Sequence, residues 1–321
     1  MVDYTVFYKE SSDPSAVIGD WDIFISAYNE TDRVKHVFDA TRATEKHWLI
    51  HAEYGFSDSE IPSGSNVYAS PADVREDDYI SGFAEARLAR VADARLCVDI
   101  SGFMRPHLMF LVRFLAARGV KRFDALYSEP RQYVRREATE FSCGQVNGVR
   151  PVAGLEGVHV PSLSSDQDVL IIGAGYEHEL MRSVAMAKTN TRKFQLLGFP
   201  PLQADFYQEN VLNARRAAEA VSAVNERHPF LAPANDPFVT ASVIQHAVSE
   251  QVKRGAKNIY LCPLSSRPQA LGFALYHVHE ALGQPVSVIY PFAAKYARDS
   301  AVGIARVWRY TVELPEATTG G

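Results

Sequence analysis

The chain is poor in cysteine, with only Cys97, Cys143 and Cys262 in 321 residues. An odd number without Cys-x-x-Cys spacing excludes a disulfide framework and a cysteine zinc site. Cys97 and Cys262 stand in the apolar runs RLCVDI and IYLCPL, where a free thiol behaves as a small buried hydrophobe. This usage fits a reducing, cytoplasmic setting. Long apolar runs are missing as well. No uncharged stretch approaches the roughly 20 residues that span a bilayer, and the opening MVDYTVFYKESSD lacks the basic start and apolar core of a secretion signal. Positive charge is not in excess: 33 Lys and Arg stand against 38 Asp and Glu, a net −5. That balance excludes a general electrostatic grip on nucleic acid. There is no P-loop, no Gly-x-Ser-x-Gly elbow and no His-Glu-x-x-His. His277 and His279 are two apart on a predicted helix, and His47 and His51 flank a predicted strand. The spacing therefore implies no metal.

What is present alternates. Short apolar runs of strand length are separated by stretches of helical period, the pattern of an α/β fold with mostly parallel sheets. Strands are predicted at 22–28, 47–52, 95–100, 122–127, 168–175, 194–199, 230–234, 258–263 and 286–291, with an edge strand at 304–314. Helices are predicted over 30–42, 79–91, from Arg105 to a glycine stop at Gly119, over 205–227, from Asp236-Pro237, and over 267–282. Residues 55–78 read as a long loop, and 136–167, rich in Gly, Pro and Ser, as a linker or excursion. The expected organisation is one Rossmann-like unit over 1–135, a second over 168–315, and a mobile tail at 316–321.

The two halves also match each other. DIFISAYNE (22–30) sits over DVLIIGAGYE (168–177): Asp22 meets Asp168 at an offset of 146, and Glu30 meets Glu177 and Lys46 meets Lys193 at 147. Arg105-Pro106 meets Arg267-Pro268 at 162, while Tyr127 meets Tyr290 and Tyr133 meets Tyr296 at 163. One insertion of 15 residues in the second half, expected around 229–254, reconciles the blocks. An internal duplication follows, with two tandem Rossmann-like units about a pseudo-two-fold axis and a ligand cleft between them.

Candidate residues fall at the strand ends. Gly173 and Gly175 follow a strand and precede a helix, where glycine lets a ligand approach the backbone and the helix offers free N–H groups. The third glycine of the dinucleotide fingerprint is replaced by His178. Ser265, Ser266 and Arg267 at one strand-to-helix junction, and Ser101 and Arg105 at its counterpart, suit a phosphate or carboxylate. Tyr127, Tyr290, Tyr133 and Tyr296 offer rings that stack on a base, and Glu129 or Glu53 offers an acid/base group. Asp236 before Pro237 reads as a helix cap.

DIFISAYNETDRV (22–34) resembles the opening strand and helix of TIR domains. That likeness implies cleavage of an NAD-like glycosidic bond by a glutamate, for which Glu53 is the candidate, although Glu53 follows a strand rather than lying on a later helix. The duplicated plan, with a polar turn leading into RPQALGFALY, is similar in outline to CARF and SAVED domains. That similarity implies binding of a nucleotide in prokaryotic antiviral defence or signalling. Three classes stay open: a binder or sensor of an anionic, nucleotide-like molecule; a hydrolase of a nucleotide or NAD-like ligand; and a subunit that acts by assembly, as a homo-oligomer or with a protein partner.

Overall fold

The apolar runs form the inner strands of two separate sheets in a computed structural model of the chain. The structure describes residues 1–16, 18–71, 73–133, 146–161, 167–175, 178–203, 208, 211–212, 229–293, 295–296, 298 and 301–316. Cys143, Glu177, the tail beyond 316, most of the predicted helix over 205–227, and residues 136–145 and 162–166 of the stretch 136–167 lie outside these residues. In chain order the strands and helices are β1 (Lys9–Ser12), β2 (Ile18–Ala27), α1 (Asp32–Ala40), β3 (Thr41–Ile50), β4 (Val67–Ala69), α2 (Glu76–Arg87), β5 (Leu96–Asp99), α3 (Arg105–Ala117) and β6 (Arg122–Tyr133). There follow β7 (Val146–Pro151), β8 (Val169–Gly173), α4 (His178–Ala187), β9 (Arg192–Gly198), β10 (Phe230–Ala232), α5 (Pro237–Lys253), β11 (Ile259–Pro263), α6 (Arg267–Tyr276), β12 (Val286–Ala293) and β13 (Ala301–Glu313). None of the described helices is long and apolar enough to cross a membrane.

One sheet has the order β1-β13-β6-β5-β2-β3-β4 and the other β10-β9-β8-β11-β12-β7. The inner strands β5 and β8 are buried at every residue, as expected of parallel strands covered on both faces. The chain is α/β with two mostly parallel sheets, and each has the 3-2-1-4-5 strand order of a Rossmann-like unit. The pairing registers repeat between the sheets. Ile23 pairs with Glu45 and Leu96, and Val169 pairs with Arg192 and Ile259. The offsets are 169 − 23 = 146, 192 − 45 = 147 and 259 − 96 = 163, the same ones the sequence match carries. Side chains repeat as well. Asp22 accepts from the Arg95 backbone and guanidinium, and Asp168 accepts from Asn258 at 2.8 Å, so each ties the first strand to the fourth. Lys46 and Lys193 each fold back onto carbonyls of the preceding helix-to-strand connection.

Three expectations are corrected. The 15 extra residues lie between β9 and β10, not at 229–254: Leu49 pairs with Tyr68 and Leu196 with Phe230, so the offset moves from 196 − 49 = 147 to 230 − 68 = 162 across this connection. The short strand β4 sits in the Gly- and Ser-rich stretch that reads as loop, which hid the correspondence. The unit boundaries also differ. One unit is Phe7–Cys143 with Ala294–Gly321, and the other is Met1–Val6 with Gly144–Ala293. Thus β13, expected in the second unit and at an edge, pairs along the whole of β6 in the first sheet and carries β1 on its other side. Conversely β7, from the supposed linker, completes the six-stranded sheet antiparallel to β12. A hydrophobic alternation specifies a half-buried strand but not its partner.

The helix ends follow local chemistry. Gly119, at φ +76°, stops α3. Asp236 caps α5 by accepting from the Phe238 and Val239 N–H groups, both at 3.0 Å. Asp236→Ala should therefore lower stability by about 1 kcal/mol in urea unfolding, with Asp236→Asn near wild type; equal losses in both would mean that the cap contributes nothing.

Candidate functional site

The C-terminal ends of parallel strands are where open α/β sheets bind ligands, at the crevice between strands 1 and 4 of the order. In the six-stranded unit that crevice lies between β8 and β11, and the predicted Gly173 and Gly175 do stand there. Their missing side chains make room for protein. A methyl on Gly175 would stand 2.0 Å from the Leu264 carbonyl, and one on Gly173 would stand 2.9 Å from Ser265 Oγ. Ser266 caps α6, accepting from Gln269 N at 3.3 Å and donating to the Ala234 carbonyl. Arg267 opens that helix half-buried, and Tyr290 is buried in β12.

In the seven-stranded unit the same crevice is filled by a buried polar network. A methyl on Gly102 would stand 2.1 Å from the Ala27 carbonyl, so the loops after β2 and β5 touch. Beside them Asp99, fully buried, accepts from Ser26 Oγ and Ser101 N, each at 3.0 Å. Ser101 Oγ accepts from Ser128 N and Ser128 Oγ, each at 2.8 Å. Arg33 donates to the Ser128 carbonyl at 2.8 Å and the Ser101 carbonyl at 3.3 Å. Burial pushes the Asp99 carboxyl above its ordinary range, against the pull of Ser101, Ser26 and Arg33. The predicted Ser101 thus joins strand ends together. Tyr127 is buried one residue before Ser128, and Glu129 accepts from Trp308 Nε1 at 2.7 Å on β13. The backbone of Tyr133 ends β6, and its side chain lies outside the described residues.

One group of chemistry-bearing side chains gathers at this edge. His51 follows β3, Glu53 lies on the 3₁₀ turn Ala52–Tyr54, and His107 is the third residue of α3. One ligand atom from each falls within 4.8 Å of the others. Both imidazoles are buried, their ring centroids 4.5 Å apart, while the Glu53 side chain is 25% exposed. His107 Nε2 stands 3.8 Å from Glu53 Oε1. The rings of Tyr79 and Phe103 pack edge-on against His51 at 5.8 and 5.6 Å. Burial drives the Tyr79 phenol well above the usual tyrosine range, and the Glu53 charge adds to that push.

The turn is held in place from a distant part of the chain. Tyr296 N donates to the Glu53 carbonyl at 3.0 Å, which brings two predicted residues together through the backbone. Arg298 donates to the Tyr54 carbonyl at 2.7 Å, to the Gly55 carbonyl, and to Glu60 at 2.7 Å. Ser57 and then Arg298 hold the Glu60 carboxyl down at about 2. Tyr54 OH in turn donates to the Gly102 carbonyl at 3.0 Å, joining the turn to the loop before α3. Arg105, half-buried, opens α3 two residues before His107, and the first turn of that helix carries no acidic residue.

The sequence does not single out His107 or Arg33, and it offers His51 only as a strand-flanking histidine whose spacing argues against a metal. His51 and His107 are 56 positions apart and belong to no spacing motif, so only the folded sheet reveals them as neighbours. A groove of about 440 Å³ lies at the opposite edge of this sheet, lined by Trp21, Arg95, Arg122, Asp124 and Arg309. Several of its polar groups are already engaged. Arg95 pairs with Asp22, Arg309 with Glu10, and Asp124 accepts from Trp21 Nε1. No known protein-family model matches the chain. A search of curated proteins also finds none that matches it.

Proposed function

We propose that this protein binds a small, anionic, nucleotide-like molecule at the C-terminal strand edge of its seven-stranded unit, beside His51, Glu53 and His107. The observation that carries this reading is the convergence of those three side chains at the edge where the fold class receives ligands. Arg105 and the acid-free first turn of α3 favour a negative group there, because helix N-termini carry unpaired N–H donors and a partial positive charge. The nucleotide class rests on analogy with other sheets of this strand order, which is a statement about fold.

The test is thermal melting against a panel of mononucleotides, dinucleotides and NAD. A nucleotide at about a hundredfold excess over its Kd should raise the melting temperature by about 5–10 °C. Arg105→Ala should remove that shift, and Arg267→Ala, in the other unit, should leave it intact. A panel without any shift would sink the reading. The reverse pattern of variants would move the site to the six-stranded unit.

A further inference from the structure

We infer that His51, Glu53 and His107 form a binding site for one divalent transition-metal ion of the zinc type. The inference rests on the same site as the proposed function and names an ion within it. Two imidazoles and one carboxylate are a donor set that such ions prefer, and three protein ligands leave a position open for water or a ligand atom. The geometry is close to what is needed. Donors at about 2.0–2.1 Å from a tetrahedral ion lie about 3.3 Å from one another. Here one ligand atom from each residue already lies within 4.8 Å of the others, and His107 Nε2 and Glu53 Oε1 are 3.8 Å apart. A rotation of the partly exposed Glu53 side chain and small ring adjustments close the remaining gap.

A second observation points the same way. Glu53 Oε2 is shut off from solvent and has no hydrogen-bond partner among the described residues. A carboxylate oxygen in that position carries a desolvation cost that a bound cation would offset. The surroundings are also built to hold the ligands still. Tyr79 is anchored by donating to the Ile50 and Tyr68 carbonyls at 3.0 and 2.9 Å, and its ring packs edge-on against both imidazoles at 5.8 Å. The Glu53 backbone is fixed by Tyr296, and that of Tyr54 by Arg298. A rigid shell of this kind is what keeps a metal site ordered before the ion arrives.

The sequence argues against a metal because no two of these residues follow a ligand-spacing motif. The ligands come from the end of β3 and the start of α3, so their proximity is a property of the sheet order alone.

The experiment is calorimetric titration of the chelator-treated 321-residue chain with zinc, without nucleotide, alongside cobalt as a spectroscopic probe. The expected result is one ion per chain, a cobalt spectrum of mixed nitrogen and oxygen ligation, and a higher melting temperature with zinc. Glu53→Gln, which preserves shape, and His107→Ala should each weaken zinc binding by about 100-fold or more. Circular dichroism checks that both variants remain folded. Should His107→Ala fail to fold, Glu53→Gln alone decides. No zinc uptake, or uptake unchanged in Glu53→Gln, would overturn the site. Repeating the nucleotide panel with and without chelator separates the two readings, since a nucleotide shift that persists in chelator leaves binding standing without the metal.

Discussion

Asp99→Ala should destabilise the seven-stranded unit by about 3–5 kcal/mol in urea unfolding, from two buried donors left without an acceptor. The carboxylate stands at the meeting of β2, β5 and β6 with no exposure to water. Its removal leaves the Ser26 hydroxyl and the Ser101 N–H without their acceptor. Orphaned buried donors cost about 1–3 kcal/mol each. Asp99→Asn keeps an oxygen for Ser101 N and should lose about half as much. The pH dependence has a definite sign. Burial raises the folded pKa of Asp99, so the native state holds its proton more tightly than the unfolded chain does. Its contribution to stability is present below the unfolded value, near ~3.9, and is lost as pH rises through the folded value. Asp99→Asn should therefore flatten the stability profile just above the ordinary carboxylate range. Wild-type stability in Asp99→Ala would show that the network does not hold the strand ends.

Alanine at Gly102 or Gly175 should cost about 3 kcal/mol or prevent folding of the affected unit. In each case the new methyl would stand about 2 Å from a backbone carbonyl, that of Ala27 or Leu264. No side chain can swing aside there, so two loops at the crevice of the sheet must separate. Gly119→Ala and Gly255→Ala provide the contrast. Both sit at positive φ with nothing within 4 Å, so only backbone strain of about 1 kcal/mol applies. Comparable losses at all four positions would refute close packing as the cause.

How much of this is legible in the sequence differs by level. The apolar runs RLCVDI and DVLIIGAG predict buried strands because strands covered on both faces need continuous apolar character. Gly119 and Asp236 predict helix ends because the required conformation and hydrogen bonds are local. The offsets of 146–147 and 162–163 survive as pairing registers because side-chain alternation locks a strand to its neighbours. Two candidates, Tyr296 and Glu53, do meet, but through a backbone hydrogen bond. Ser101 and Ser266 are polar residues at the predicted junctions, yet their hydroxyls are used within the fold.

By itself, then, the sequence determined the α/β class and the inner strands, which depend on periodicity over a few residues, and the repeat, which rests on matched residues at offsets of 146–147 and 162–163. Tertiary structure alone decided that β13 and β7 flank the sheets, that the 15 extra residues separate β9 from β10, and that His51, Glu53 and His107 converge. Each of those depends on which distant segments pack together. That choice is made by the burial and backbone pairing of whole strands, and no local pattern in the chain encodes it.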